Sequence, residues 1–268
     1  MTTQRPQTWH YGLIARYWAE FNDDFRPHEI PYFQRFIEDD GQPALDVACG
    51  TGRLLIPFLR AGLDVDGCDV SADMVALCRQ KAEREGFSPN LYVQPMHALD
   101  LPRTYRTVYV CGAFGLGSTR EQDVEALARF HDLLEPGGTL LLDIEVPYAD
   151  TTHWRYWLKD EREALPRPAE PPRTRQEASD GSEYGLRSRV LAVDPLDQSI
   201  TFEMRIELWR DGLLEAAEEH ALDARYYFVH ELRLLVERAG FVELVVHGDH
   251  VEADPTADDE FVVIVARK

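Results

Sequence analysis

Leu45-Asp46-Val47-Ala48-Cys49-Gly50-Thr51-Gly52-Arg53 is the stretch that decides the fold. A short apolar run over residues 43–48 ends in a glycine-rich turn, and a helical pattern follows over 53–60, closed by Gly62. Glycines at a strand-to-helix turn let the backbone approach a ligand and take a path that side chains obstruct. Alone, such a turn serves nucleotides, flavins and plain structural turns alike. Two carboxylates narrow the choice. Asp69 ends the next strand, 19 residues after Gly50, where it can accept hydrogen bonds from both hydroxyls of a ribose. Asp46 precedes the glycines and suits a ligand with an ammonium group, whereas it would repel a pyrophosphate. Leu55 stands where a dinucleotide-binding turn has its third glycine, which disfavours a nicotinamide-dependent oxidoreductase.

Outward from this turn, strand and helix patterns alternate through residue 145. Further strands are expected at 64–69, 91–94, 107–111 and 139–144. A helix over 72–85 is closed by Gly86. Another follows Ser118-Thr119-Arg120-Glu121, which has the spacing of a capping box, with Val124, Leu127, Ala128, His131 and Leu134 on one face. Pro136-Gly137-Gly138 ends it. Short connections between such units are the signature of a parallel sheet covered by helices on both faces.

Upstream, residues 9–21 place Ile14, Tyr17, Trp18 and Phe21 at helical spacing, and 29–38 carry Ile30, Phe33 and Phe36 in a second helix. Downstream, residues 159–183 hold Pro166, Pro168, Pro171 and Pro172 among charges and read as a mobile linker or loop. Ile200, Phe202, Met204, Ile206 and Leu208 then alternate with polar residues, as in a half-buried antiparallel strand. Turns at Asp194-Pro195-Leu196-Asp197 and Asp211-Gly212 make 184–193, 200–210 and 213–226 a meander. Phe228, Leu232, Leu235, Val236 and Ala239 mark a last helix, followed by strands at 241–247 and 260–266. There is no internal repeat.

The chain of 268 residues is long enough for one substantial core, and 44% of it is hydrophobic. No apolar run approaches the roughly 20 residues of a bilayer span, and polar residues 1–10 lack the core of a signal peptide. A soluble, cytoplasmic protein with no membrane partner is expected. A net charge of −20 repels a phosphate backbone, so no nucleic acid partner is expected and a small-molecule acceptor is favoured. Cys49, Cys68, Cys78 and Cys111 form no CxxC pair and read as reduced core thiols.

Taken in order, the Leu45 to Arg53 stretch, Val65-Asp66-Gly67-Cys68-Asp69-Val70-Ser71-Ala72-Asp73-Met74 and Leu134-Glu135-Pro136-Gly137-Gly138 resemble the class I S-adenosylmethionine-dependent methyltransferases. The match covers residues 40–145 closely and 228–266 by pattern. The resemblance implies an α/β fold: a Rossmann-like seven-stranded sheet with helices on both faces and an antiparallel β insert after the fifth strand. It divides the chain into an N-terminal helical cap, 1–39, a cofactor domain, 40–150 with 227–268, and an insert, 151–226. The insert would serve as lid, acceptor site or dimer interface, so a homodimer through it is one expectation.

The same resemblance implies S-adenosylmethionine as cofactor and a methyl transfer to its acceptor. Asp46, Ala48 and Gly50 would line the methionine moiety, with Gly52 and Arg53 opening the helix beside it. Asp69 would hold the ribose, while Val70 and Met74 pack on the adenine; Met74 reads equally as a core residue. Residues 94–102 resemble the adenine-edge loop. His97 stands where many relatives carry an acid, so backbone groups of Met96 and His97 would make that contact. Residues 111–114, Cys111 and Phe114 among them, should face the methyl group.

For the acceptor, the aromatic first helix and the antiparallel insert resemble the small-molecule N-methyltransferases, of the sugar-amine and glycine types. By that likeness Tyr17 is the lid residue that reaches the cofactor, with Tyr11 second; plain packing is the alternative for both. The reaction would be an SN2 displacement onto N or O, driven by alignment and exclusion of water. A base is needed only for a protonated acceptor. Tyr17, Glu145 and His153 are the catalytic candidates, with His220 on the insert behind them. The loop His247-Gly248-Asp249-His250-Val251-Glu252 lacks an evident ligand geometry, and no metal is expected. Other readings are a non-catalytic cofactor-binding module, or a nucleic-acid methyltransferase, which would need a basic face.

Overall fold

A computed structural model describes residues 8–23, 25–168 and 174–268. Residues 1–7 of the expected polar N-terminus, and Pro171 and Pro172 of the expected linker, lie outside the described residues.

The chain runs α1 (Gly12–Phe21), α2 (Glu29–Asp40), β1 (Ala44–Val47), α3 (Leu55–Arg60), β2 (Val65–Asp69), α4 (Ala72–Arg84), β3 (Leu91–Val93), β4 (Tyr105–Cys111), α5 (Arg120–Leu133) and β5 (Leu134–Glu145). Then come α6 (Thr151–Trp154), α7 (Lys159–Glu163), β6 (Gln176–Glu177), β7 (Glu183–Asp194), β8 (Ser199–Arg210), β9 (Leu213–Arg225), α8 (Val229–Arg238), β10 (Val242–Gly248) and β11 (Phe261–Arg267). Seven strands form one sheet in the order β10-β11-β5-β4-β1-β2-β3. β1 to β5 pair in parallel, while β11 is antiparallel to both β5 and β10. This is the expected Rossmann-like seven-stranded sheet. The order reverses beside β1, so the glycine turn after β1 opens at the topological switch point, where such sheets bind ligands.

Every residue of β1 is buried, as in a strand covered on both faces. On one face Leu127 and Phe130 of α5 and Leu232 and Val236 of α8 pack on Leu45, Val108 and Leu142. On the other, Phe33 and Ile37 of α2 and Phe58 of α3 pack on Tyr109, Leu141 and Val263. β6 to β9 form a second, four-stranded antiparallel sheet. Ile206, Met204 and Leu208 on it bury the Leu13 and Ile14 face of α1. The first helix thus packs on the insert sheet, and the second on the main one. Among the described residues no helix is long and apolar enough to cross a membrane.

Several expectations shift: α5 ends at Leu133, so Leu134 and Pro136-Gly137-Gly138 belong to β5, and Val124 and Ala128 of its expected face are exposed. The capping box on α5 is one residue later than expected: Thr119 accepts from Gln122 N, and the Gln122 side chain accepts from Thr119 N. Ser118 instead donates to Asp123. Thr119→Ala should cost about 1 kcal/mol, a loss to be read from denaturant midpoints. The helix expected over 53–60 begins at Leu55, which leaves Arg53 in the preceding turn. The region read as a linker over 159–183 includes the short helix α7 and strand β6.

The two sheets meet through main chain. Leu116 bridges Ala224, Arg225 N donates to Gly115 O at 2.9 Å, and Gly117 N donates to Asp223 O at 2.8 Å. Gly115, at φ 86°, would place a Cβ 2.5 Å from the Arg225 carbonyl oxygen, so only glycine fits there.

Candidate functional site

The carboxyl ends of β1, β2, β4 and β5 open into a cavity of about 580 Å³. Its far wall comes from Trp9, His10 and Trp18 around α1 and from Leu222 and Ala224 of β9.

The turn after β1 is built for close approach. Ala48, Gly50 and Gly52 all take positive φ, at 60°, 54° and 91°. A Cβ on Gly50 would meet nothing within 4 Å, so the backbone there borders open space. Gly52 differs: its Cβ would lie 2.9 Å from Cys78 Sγ and Ile56 Cγ1, which makes it a packing glycine outside the cavity wall. Asp69 ties the turn to β2, accepting from Gly50 N at 3.0 Å and from Ser71 N at 2.8 Å. Burial raises its carboxyl above the ordinary range, against the pull of these backbone donors. Asp46 is buried beside Tyr109, its register partner on β4. Burial lifts its carboxyl to about 8, although the Tyr109 hydroxyl and the Arg53 guanidinium both favour the charged form.

Asp46, Ala48, Gly50, Arg53, Asp69, Val70, Met74, Met96, Cys111 and Phe114 all line the cavity. His97 lines an annex of about 50 Å³ that shares Ala48, Asp69, Val70 and Met96 with the main space. This donor set fits S-adenosylmethionine: a buried carboxyl for an ammonium, a second for a ribose, an open glycine turn between, and an apolar annex by Asp69. When bound, that group supplies a methyl activated on a sulfonium.

Tyr17 and Tyr11 sit elsewhere. The Tyr17 hydroxyl donates to Gln176 Oε1 at 2.7 Å, and its ring packs on Phe21 and Tyr184, which joins α1 to the insert sheet. Tyr11 meets His220 edge-on at 4.1 Å. Neither lines the cavity. The α1 residues that do are Trp18 and, just ahead of the helix, Trp9 and His10.

Glu145 and His153 line the same cavity. Burial raises the Glu145 carboxyl, opposed by Arg26 and reinforced by Asp150, Glu260 and Asp143. His153 holds Asp150 at 3.0 Å and sets its ring on Phe202. Burial lowers its pKa, and Asp150 works the other way. Tyr226, Arg225 and Arg26 also line the cavity. His10 accepts from Trp9 Nε1 at 2.9 Å, and burial lowers it to about 4, so it is neutral at pH 7.

Trp9, His10, Trp18, Arg26, Asp143, Arg225 and Tyr226 were not foreseen at the site. The run Trp9-His10-Tyr11 ahead of a helix was a usable signal for the first two. Asp143 and Arg225 carried none, because sheet pairing alone brings them here.

Residues 44–138 match the model of a methyltransferase domain. A protein of Geobacillus sp. (strain WCH70) named for methyltransferase activity is 25% identical over 90% of this chain and 94% of its own. The glycine/sarcosine N-methyltransferase of Halorhodospira halochloris is 25% identical over 84% of this chain and 74% of its own. In fold, the sugar N-methyltransferase KedS8 from Streptoalloteichus sp. ATCC 53650 superposes with a TM-score of 0.69 at 18% identity, covering 96% of this chain and 94% of that one.

Proposed function

From the premise that residues 44–138 form a methyltransferase domain of the S-adenosylmethionine-dependent class, we propose that the chain methylates a nitrogen or oxygen of a small molecule. The observation that carries this reading is the cavity itself. It is lined by the Asp46 and Asp69 carboxyls, by Cys111 and Phe114, and by Glu145, His153 and Tyr226.

In this reading Asp46 holds the ammonium and Asp69 the ribose, while Val70 and Met74 face the base and Met96 and His97 its edge. Trp9, Trp18 and the apolar end of β9 exclude water from the reacting atoms, where alignment accounts for much of the rate. Glu145 and His153 flank the acceptor end, where a proton would leave a protonated or hydroxyl acceptor. Tyr17 acts by anchoring α1 to the insert, so that Trp18 stays over the site. A small acceptor agrees with a net charge of −20. The names of the relatives above, a sugar N-methyltransferase and a glycine/sarcosine N-methyltransferase, favour nitrogen. The insert meets this role as a wall of the site, and a homodimer through it remains part of the proposal.

The test is direct. S-adenosylhomocysteine at saturation is expected to raise the melting temperature by several degrees, and NADPH to leave it unchanged. With a panel of amino sugars, amino acids and phenols, S-adenosylhomocysteine should form in at least one reaction. Cofactor binding without turnover on any acceptor would favour a non-catalytic module; no shift with S-adenosylhomocysteine would end the reading.

A further inference from the structure

We propose that the acceptor is a cationic amine on an apolar body free of carboxylate and phosphate, and that Glu145 receives its ammonium group. This rests on the methyl-transfer reading and narrows it.

The inference comes from where the charges at the cavity wall are already committed. Among the described residues three arginines line the cavity, Arg26, Arg53 and Arg225. Arg53 Nη1 lies 2.6 Å from Glu29 Oε2 and donates to the Phe25 carbonyl at 3.0 Å, while Nη2 donates to Cys111 Sγ at 3.4 Å. Arg26 Nη1 lies 3.5 Å from the other Glu29 oxygen, and its guanidinium stacks 3.8 Å from the centre of the Phe261 ring. Glu29, fully buried, thus holds both. Arg225 pairs with Ser199 across the insert sheet, whereas Ala224 pairs with the core residue Ile200. Side chains alternate along a strand, so Arg225 leaves β9 on the face opposite to Leu222 and Ala224. There its Nη2 lies 3.4 Å from Asp197 Oδ2, although Nε and Nη1 make no hydrogen bond. The two lining histidines, His10 and His153, are both pushed toward the neutral form by burial.

The carboxyls balance the other way. Asp46 and Asp69 serve the cofactor in the proposed reading. Asp143 accepts from Cys111 Sγ at 3.6 Å and has His250 Nε2 3.3 Å from Oδ1. The Glu145 carboxyl makes no hydrogen bond or ion pair among the described residues. The charges that reach it are Arg26 on one side and Asp150, Glu260 and Asp143 on the other. A cation entering the cavity therefore meets an unpaired carboxyl in a net negative field. The neighbouring wall is aromatic. Phe261 is the register partner of Glu145, and burial, then the Glu145 charge, raises the Tyr226 hydroxyl. Trp9, Trp18 and Phe25 line the same cavity. Aromatic faces attract a cation and cover an apolar body. An amino acid would bring a carboxylate here, and a nucleotide-linked amine a diphosphate, each desolvated with no uncommitted cation to meet it. In the transfer Glu145 takes the ammonium proton, the freed nitrogen pair closes on the methyl carbon, and the carbon–sulfur pair stays with sulfur.

Calorimetry on the full chain saturated with S-adenosylhomocysteine provides the test, with phenethylamine, phenylalanine and a thymidine-diphosphate amino sugar as probes. Phenethylamine should bind about ten-fold or more tightly than either anionic probe, the scale of one hydrogen bond to a charged group. Glu145→Gln should remove that advantage and leave the other two within about three-fold; its melting shift with S-adenosylhomocysteine reports that the variant is folded. No binding of phenethylamine, equal or tighter binding of an anionic probe, or an amine preference that survives Glu145→Gln overturns the acceptor class. A wild type that shows no melting shift with S-adenosylhomocysteine sinks the methyl-transfer reading instead, so the two failures are distinct.

Discussion

Asp69→Ala is expected to weaken S-adenosylhomocysteine binding by roughly a hundred-fold or more in calorimetry, and to lower the melting temperature of the free protein. Both effects come from the same carboxyl. Its two oxygens hold Gly50 N and Ser71 N, one on each side of the ligand turn. Hydrogen bonds to a charged group contribute about 1.5–3 kcal/mol each, and buried donors left unpaired cost about as much. Alanine frees both amides, loosens the turn at Gly50 and removes the ribose contact. Asp69→Asn should fall between, since its amide can accept from one of the two donors and must oppose the other. Affinity within three-fold of wild type in the alanine variant would remove Asp69 from the cofactor site.

Asp46→Asn should move stability and affinity in opposite directions. The folded carboxyl titrates at about 8, whereas an unfolded aspartate titrates near 3.9. Between those values the folded chain binds the extra proton, so the free protein loses stability as pH rises through the window. Asparagine cannot ionise, and the variant should therefore melt above the wild type at pH 8. Its cofactor affinity should nevertheless fall by about thirty-fold or more, the scale of cutting one partner from a buried charge pair. At pH 7 the wild type should release close to one proton on binding, because an ammonium partner returns Asp46 to its charged form. Calorimetry in buffers of different ionisation enthalpy counts that proton. A variant that released as many would show that another group titrates.

Much of this arrangement was legible because it is local. The turn from Asp46 to Gly52, Asp69 at the end of the next strand and the meander between its two turns each write their structure in adjacent residues. Near misses were local too. Ser118 and Thr119 are both good caps, and Glu121 and Gln122 both good third residues, so spacing alone could not choose between them. The helix around Tyr17 shows a different limit. Its apolar face was evident, but two sheets could receive that face, and the choice turns Trp18 rather than Tyr17 toward the cavity. The pairing of Glu29 with Arg53 was beyond reach, since only the packing of α2 on the main sheet makes them neighbours.

Gly115 joins two parts of the molecule that sequence keeps far apart. Through its carbonyl and the amide of Gly117, the loop after β4 is bonded to the end of β9. That loop carries Phe114 and follows Cys111 at the donor end, while β9 supplies Leu222 and Ala224 to the opposite wall. In the proposed reading, an acceptor seated against that wall would bear on the peptide groups that also hold the donor end. The two binding events would then share a free energy of coupling. By thermodynamic reciprocity, whatever factor the methyl donor lends to acceptor affinity, the acceptor returns to the donor.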